Sequence, residues 1–395
     1  MPWKEIKKMN QRYEFALRAL QVGTNMKELC QAYGISRPTG YKWLKRFREE
    51  GFGGMSDRLR RPRRQGRALP EEVVCEIIRL KEHHRHWGPP KIWNLYERLH
   101  GNGPSLSSVK RVLDRAGLVH KRRRRDSRKG GRLHSSVKAE APNDVWTVDF
   151  KGWWRSGNGS RCEPLTVRDE YSRYVLEIRA MASTATEAVR LCFERLFAEH
   201  GLPAAIRSDN GAPFACAHSV LGLSRLSAWW IALGINLERG RPGQPQDNGA
   251  HERLHRDIRC ELQACAQDNL AEEQVAFDLW RGTFNQERPH QALGMCTPAE
   301  VYVPSPRPWD PHLSDLVYEG MLARRVHKNG SITIDGIALF LSTALSGWSV
   351  GLKPREDRLY DVYFASLPLG QIDLSSEAFL WAASGPKDAL ARQTG

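Results

Sequence analysis

The periodicity of the apolar residues changes once along this chain, and that change limits the folds open to it. Up to about residue 117 apolar side chains recur at helical spacing, whereas from Asp144 they alternate as in β-strands. A helical front end joined to a mixed α/β body is the architecture this pattern allows. Charge divides at nearly the same place. Residues 1–140 carry 34 Lys and Arg against 14 Asp and Glu, and residues 141–395 carry 26 against 31. A front end at +20 on a body at −5 points to a polyanionic partner, and nucleic acid is the commonest one. With 395 residues, 41% of them hydrophobic, the chain is neither a staple-dependent small scaffold nor wholly disordered. No apolar run approaches the roughly 18 residues of a membrane helix, and the start lacks a signal-peptide core, so a cytoplasmic protein with no membrane partner is expected. Eight cysteines without a C-x-x-C pair argue against a disulfide framework or a zinc ribbon, and reduced, mostly buried thiols are expected.

Within the front end, Ile6, Met9, Tyr13, Leu17 and Leu20, then Met26, Leu29 and Tyr33, then Tyr41, Leu44 and Phe47 predict three helices in a first domain, residues 1–57. Gly34-Ile35-Ser36 separates the last two, with Ser36 as cap and Pro38 in the first turn, as a helix-turn-helix requires. In a major groove Arg37, Thr39 and Lys42 would meet base edges and phosphates, with Lys45 and Arg46 on the same helix. A basic linker over 58–69 carries Arg60, Arg61, Arg63 and Arg64. A second helical trio over 70–120 gives a tandem helix-turn-helix arrangement, and a linker over 121–140 bears Arg122, Arg123, Arg124 and Arg125. Such runs can follow a phosphate backbone or a minor groove. His83, His84, His86 and His100 with Cys75 fit no familiar zinc spacing and read as solvated helix-end residues.

The body, residues 141–303, opens on Asp144-Val-Trp-Thr-Val-Asp-Phe150, which alternates as a half-buried strand does and places Asp149 on it. Strands follow near 164–167 and 174–180, then a helix over 186–200 and a strand over 204–208 that runs into Asp209-Asn210-Gly211. A helix over 224–233 and a short strand over 235–238 lead to a Gly- and Pro-rich loop. Beyond it a long helix carries Glu252 early, with His255, Arg256 and Arg259 on the same face. Three carboxylates so placed can hold two divalent cations for phosphoryl transfer, with Arg256 and Arg259 toward phosphates. Beyond the Pro-rich stretch near 304–311, residues 304–395 alternate again and read as a small β-barrel.

Several motifs in order carry a family resemblance: Trp-Thr-Val-Asp149, Ser-Asp209-Asn-Gly-Ala-Pro-Phe214, Pro-Gln-Asp-Asn-Gly-Ala-His-Glu252-Arg-Leu-His-Arg256, and Phe284-Asn-Gln-Glu-Arg-Pro-His290-Gln-Ala-Leu293 with Thr297-Pro-Ala-Glu300. The chain resembles bacterial insertion-sequence DDE transposases that share their catalytic core with retroviral integrases. The resemblance implies a multidomain α+β protein: tandem helix-turn-helix domains, an RNase H-like α/β core and an SH3-like C-terminal barrel. It implies a catalytic and metal-binding triad of Asp149, Asp209 and Glu252 using Mg²⁺, with Mn²⁺ as substitute and two ions per site. The implied activity is cutting and joining of DNA, on terminal inverted repeats and target, by a homodimer or larger assembly associated with the bacterial nucleoid. Asp247 lies nearer the spacing of retroviral relatives, but the motif context selects Glu252 and leaves Asp247 as a helix cap. Asp169 and Glu170 are expected to be structural, and Arg288 and His290 to serve helix-end packing or DNA contact. A DNA-binding regulator that no longer cuts is the rival reading, and it would be expected to lack one of the acids.

Overall fold

A computed structural model describes residues 8–58, 69–119, 138–240, 249–312, 315–356 and 358–381. The chain divides into two compact units, residues 1–69 and 70–395. Arg60, Arg61, Arg63, Arg64, Arg122 to Arg125 and Asp247 lie outside the described residues.

In the first unit α1 (Lys8–Ala19), α2 (Met26–Ala32) and α3 (Arg37–Glu50) enclose Phe15, Ala16, Cys30, Trp43 and Met55. Capping explains where the helices start: the Asn25 side chain accepts from Lys27 N at 3.0 Å, and Ser36 Oγ accepts from Thr39 N at 3.4 Å. Gly34 turns the chain at φ +63°. Gly40 lets α3 approach closely, because a Cβ there would sit 2.6 Å from Cys30 Sγ and 2.9 Å from Phe15 Cζ. This is the expected helix-turn-helix.

The second unit begins with α4 (Glu71–His83), α5 (Pro89–His100) and α6 (Leu106–Arg115), packed around Ile77, Leu80, Ile92, Tyr96, Val109 and Leu113. Arg98 on α5 forks onto Glu300 with two 3.0 Å bonds and donates to Met295 O at 2.9 Å, which ties the trio to the far end of the body. His84 is not simply solvated: its ring stacks on Trp87 at 3.9 Å.

The body is a mixed five-stranded sheet with helices on both faces. Its strands are β1 (Val145–Phe150), β4 (Leu165–Asp169), β5 (Val175–Arg179), β6 (Ala205–Ser208) and β7 (Asn236–Arg239), in the order β5-β4-β1-β6-β7; a small hairpin, β2 (Trp154–Arg155) and β3 (Arg161–Cys162), stands beside it. β1 runs antiparallel to β4 and parallel to β6. Trp146, Val148, Leu165 and Val167 pack against α7 (Thr186–His200) and α8 (Arg225–Ala232) through Val189, Phe193, Phe197 and Trp230. A separate core of Val175, Ile178, Leu254, Ile258, Phe277 and Phe284 holds α9 (Gly249–Glu261) and α10 (Leu270–Gln286), the latter a helix for which the sequence reading drew no element.

β1 is buried on both faces over Val145–Val148, not half-buried. Its polar residues alternate because they face α9, where Thr147 meets a histidine, and not because they face water. The thiols are not mostly buried. Cys30, Cys162 and Cys192 are buried, but Cys75, Cys216, Cys260 and Cys265 are exposed, Cys75 and Cys260 on helix faces turned from their cores.

After α11 (Pro298–Val301), the C-terminal region is β: a five-stranded antiparallel sheet ordered β14-β13-β12-β11-β8 and a hairpin of β9 and β10. These strands are β8 (Leu322–Arg325), β9 (Ser331–Ile334), β10 (Ile337–Phe340), β11 (Ser349–Glu356), β12 (Leu359–Phe364), β13 (Leu367–Asp373) and β14 (Ala378–Trp381). Their core continues into Val220, Leu223, Ala228 and Ala232, so this region packs directly on α8 and the segment before it. Among the described residues no helix is long and apolar enough to cross a membrane.

Candidate functional site

Because β1 and β6 are parallel neighbours, their C-terminal ends lie together, and ligand-binding groups collect at such ends. Asp149 is the last but one residue of β1, and Asp209 follows β6, where Gly211 N donates to Asp209 Oδ1 at 3.1 Å. Glu252 sits in the first turn of α9, held over the sheet by Leu254, Ile258 and Leu262. Asp209 and Glu252 are both near enough to act on the charge of Asp149. The Asp149 carboxyl is pushed up to about 7, first by burial, next by the charge of Asp209 and also by that of Glu252, against a lowering backbone hydrogen bond from Phe150. Such a cluster of like charges fits a divalent cation, which would relieve the repulsion. Asp209 and Glu252 themselves are exposed.

The raised Asp149 value has a consequence for stability. A carboxyl whose folded value lies above its unfolded one binds its proton more tightly in the folded state, so the stabilisation is complete below about pH 4 and is lost as pH rises to about 7. In chelator, the melting temperature of the protein is expected to carry this downward step between pH 4 and 7, and Asp149→Asn to flatten it in a thermal-melt pH series. An unchanged step in the variant would show that other groups produce it.

Beneath the acids lies a polar layer of which only His255 was expected. Thr147 and Arg168, and Asp149 and Thr166, are cross-strand neighbours of β1 and β4. His251 is fully buried, with Nδ1 2.9 Å from Thr147 Oγ1 and Nε2 2.6 Å from Thr166 Oγ1. His255 Nε2 is 2.9 Å from the same Thr166 hydroxyl, and its Nδ1 lies 3.9 Å from Asp149 Oδ2. Burial, then the charges of Lys151, Arg168 and Arg259, lowers His255 to about 3, so the ring is neutral. Asp149, His251 and His255 offer ligand atoms within 4.8 Å of one another. A signal for this layer was present in the sequence: His251 and His255 flank Glu252 four residues apart, on one helix face.

Arg256 and Arg259 are both exposed on α9, and Arg259 is close enough to depress Lys151 as well as His255. Asp169 stands apart from the acid cluster and accepts from Asn143 N at 2.7 Å, Ser172 N at 2.7 Å and Ser172 Oγ at 2.6 Å, while Glu170 pairs with Arg168 and Arg173. Both are structural, as expected. Arg288 is 6% exposed and donates to Asp257 Oδ2 at 2.7 Å; His290 packs edge-on to Phe284 at 4.9 Å. Packing, not an open DNA-facing position, is what the fold gives them. In the first unit Arg37, Lys42 and Lys45 are exposed and Thr39 half-buried, Lys45 lies 3.8 Å from Glu49, and Arg46 and Lys42 lie over the Trp43 ring at 5.0 and 5.4 Å. The histidine group near Cys75 is not a ligand set among the described residues: His100 Nε2 is 3.2 Å from Glu76, and His83 and His84 pack edge to face.

Comparison with known proteins agrees with this architecture. Two integrase core domain profiles match residues 139–245 and 233–298, a helix-turn-helix domain profile matches 11–63, and a homeodomain-like domain profile matches 39–113. An insertion element IS407 protein of 31.7 kDa from Burkholderia multivorans is 28% identical over 236 residues, covering 58% of this chain and 80% of the relative. The transposase for insertion sequence element IS629 from Shigella sonnei is 25% identical over 251 residues, 60% of this chain and 82% of that one. The crystallised catalytic core of bovine immunodeficiency virus integrase is 27% identical, covers 40% of this chain and 93% of its own, and superposes with a TM-score of 0.31.

Proposed function

We propose that this chain, which belongs to the integrase core domain family of insertion-element transposases, binds the terminal inverted repeats of its element and cuts and joins DNA strands at Asp149, Asp209 and Glu252. The observation that carries the reading is the placement of these acids at the end of β1, just after β6 and in the first turn of α9, where Asp209 and Glu252 add to burial in raising the Asp149 carboxyl to about 7. Asp149 and Asp209 would share two divalent cations, and Glu252 would complete the second site. Bound cations of this kind activate a water or 3′-hydroxyl and neutralise charge on the leaving oxygen. The chain's own groups do the rest. Lys151, Arg256 and Arg259 set positive charge beside the acids, where a phosphodiester must lie. The Thr147, Thr166 and His251 layer holds α9 on β1 and β4, and so holds Glu252 opposite Asp149. Carboxylate ligands alone would take Mg²⁺, with Mn²⁺ as substitute. Two element ends must be brought together, so we assign a homodimer or larger assembly, working in the cytoplasm on the nucleoid. The C-terminal β region reads as an SH3-like barrel, since β10 lies against β14.

The test is incubation of the full chain with Mg²⁺ and labelled DNA carrying the inverted repeats that flank its gene, scored for end nicking and for joined products. Both are expected. Binding without cutting, in Mg²⁺ and in Mn²⁺, would favour the regulator instead.

The helix-turn-helix assignment has its own test. Arg37→Ala is expected to weaken specific end binding by about 1 to 3 kcal/mol and to relax base preference at one position. Lys42→Ala should weaken binding to all sequences alike and flatten the slope of log affinity against log salt by about 1. Fluorescence anisotropy over a salt series separates the two, and equal losses on specific and random DNA for Arg37→Ala would remove it from base reading.

A further inference from the structure

The wiring of Thr166 decides which nitrogen of each active-site histidine carries its proton. Its Oγ1 has three neighbours: the carbonyl oxygen of Asp149 at 2.9 Å, His251 Nε2 at 2.6 Å and His255 Nε2 at 2.9 Å. A hydroxyl has one proton to donate, and the Asp149 carbonyl can only accept, so the hydroxyl donates there and both imidazoles donate from Nε2. A neutral ring protonated at Nε2 keeps a lone pair on Nδ1. In His251 that lone pair is used: the single hydrogen of Thr147 Oγ1 has two acceptors, His251 Nδ1 at 2.9 Å and the Arg168 carbonyl at 3.4 Å, and goes to the nearer. In His255 the described residues offer it no hydrogen. It faces Asp149 Oδ2 at 3.9 Å, lone pair to lone pair.

That distance is too long for a hydrogen bond, yet it is within the span of two ligands that each sit about 2.0 to 2.2 Å from one ion. Glu252 and His255 are three residues apart on α9, and a Glu-x-x-His step on a helix delivers a carboxylate and an imidazole to the same metal. His255 also has the supporting bond that ligating histidines show, its second N–H held by a fixed oxygen. We propose that His255 Nδ1 is a nitrogen ligand to the cation held by Asp149, with Thr166 orienting its ring, and that the site therefore prefers Mn²⁺ or another first-row transition ion to Mg²⁺. An all-oxygen set suits Mg²⁺, whereas an imidazole shifts affinity along the first-row series. His251, with both nitrogens committed, is a positioning residue for β1, β4 and α9, not a ligand.

This inference rests on the acid cluster being the metal site, and the test separates the two. Full-length protein loaded with Mn²⁺ is examined by electron spin-echo spectroscopy, and Mn²⁺ and Mg²⁺ affinities are measured by calorimetry, for wild type, His255→Gln and Asp149→Asn. Nitrogen modulation from one imidazole is expected in wild type, changed to the ¹⁵N pattern on labelling with ¹⁵N-histidine. The modulation should vanish in His255→Gln, with Mn²⁺ affinity down about 10- to 100-fold and Mg²⁺ affinity within about 3-fold. If Asp149→Asn abolishes Mn²⁺ binding but wild type shows no histidine nitrogen, or His255→Gln keeps it, the ligand assignment is overturned and the acid site stands. If Mn²⁺ binding survives Asp149→Asn, the acid site falls and the ligand with it. Should His255→Gln fail to fold, the ¹⁵N-labelled wild-type spectrum alone decides.

Discussion

Asp149→Asn is expected to lower strand cutting and joining by about 10³-fold or more, a barrier increase of at least roughly 4 kcal/mol, while leaving DNA-end binding intact. The amide matches the carboxylate in shape but carries no charge, so the site loses the group on which Asp209 and Glu252 both act. The same substitution should make the chelated protein more stable. At neutral pH the wild-type carboxylate is buried beside two other acids, and relieving that is worth on the order of 3 kcal/mol. Lost turnover with a raised melting temperature is therefore the expected signature, measured by gel assay and by thermal melts in chelator. Asp209→Asn and Glu252→Gln should lose turnover likewise. Asp169→Asn serves as the contrasting case: its carboxylate takes three hydrogen bonds in the turn after β4, so stability should fall. Retained turnover in Asp149→Asn would remove this residue from the chemistry.

Arg288→Ala is expected to cost about 3 kcal/mol of stability, toward the low end of the range for breaking a buried ion pair. The Arg288 side chain is 7% exposed, bonded to Asp257 at 2.7 Å, 3.5 Å from Glu261 and 5.1 Å above the Phe284 ring. It thereby joins the end of α10 to α9, the helix that carries Glu252 and His255. Lys91 moderates the loss. Its ammonium is depressed to about 7, first by burial and next by Arg288, while Asp257 and Glu261 pull the other way. Without Arg288 it regains charge and partly neutralises the two acids. Arg288→Lys keeps a charge but not the fork, so an intermediate melting temperature is expected. Denaturant titration measures the cost, and a change below about 0.5 kcal/mol would show that the α9–α10 junction does not depend on this pair.

What the sequence alone determined about this protein is everything that rests on local spacing or on short contiguous motifs. Helical periodicity and the cap at Ser36 set the front helices, because an orphaned backbone donor is satisfied by a side chain three residues away. Alternation and the Asp209-Asn-Gly turn placed the strands and their acids, and motif order selected Asp149, Asp209 and Glu252 as candidates. The tertiary structure decided what depends on partners far along the chain. Thr147 and Thr166 look like solvent-facing positions of alternating strands until α9, some eighty to a hundred residues later, covers them with His251 and His255. Burial of β1 on both faces, the packing role of Arg288, and the hydroxyl that sets the His255 tautomer all follow from that one docking. Periodicity records how a segment divides its faces between apolar and polar; it does not record whether the polar face meets water or another helix, and here that difference makes the bed of the acid site.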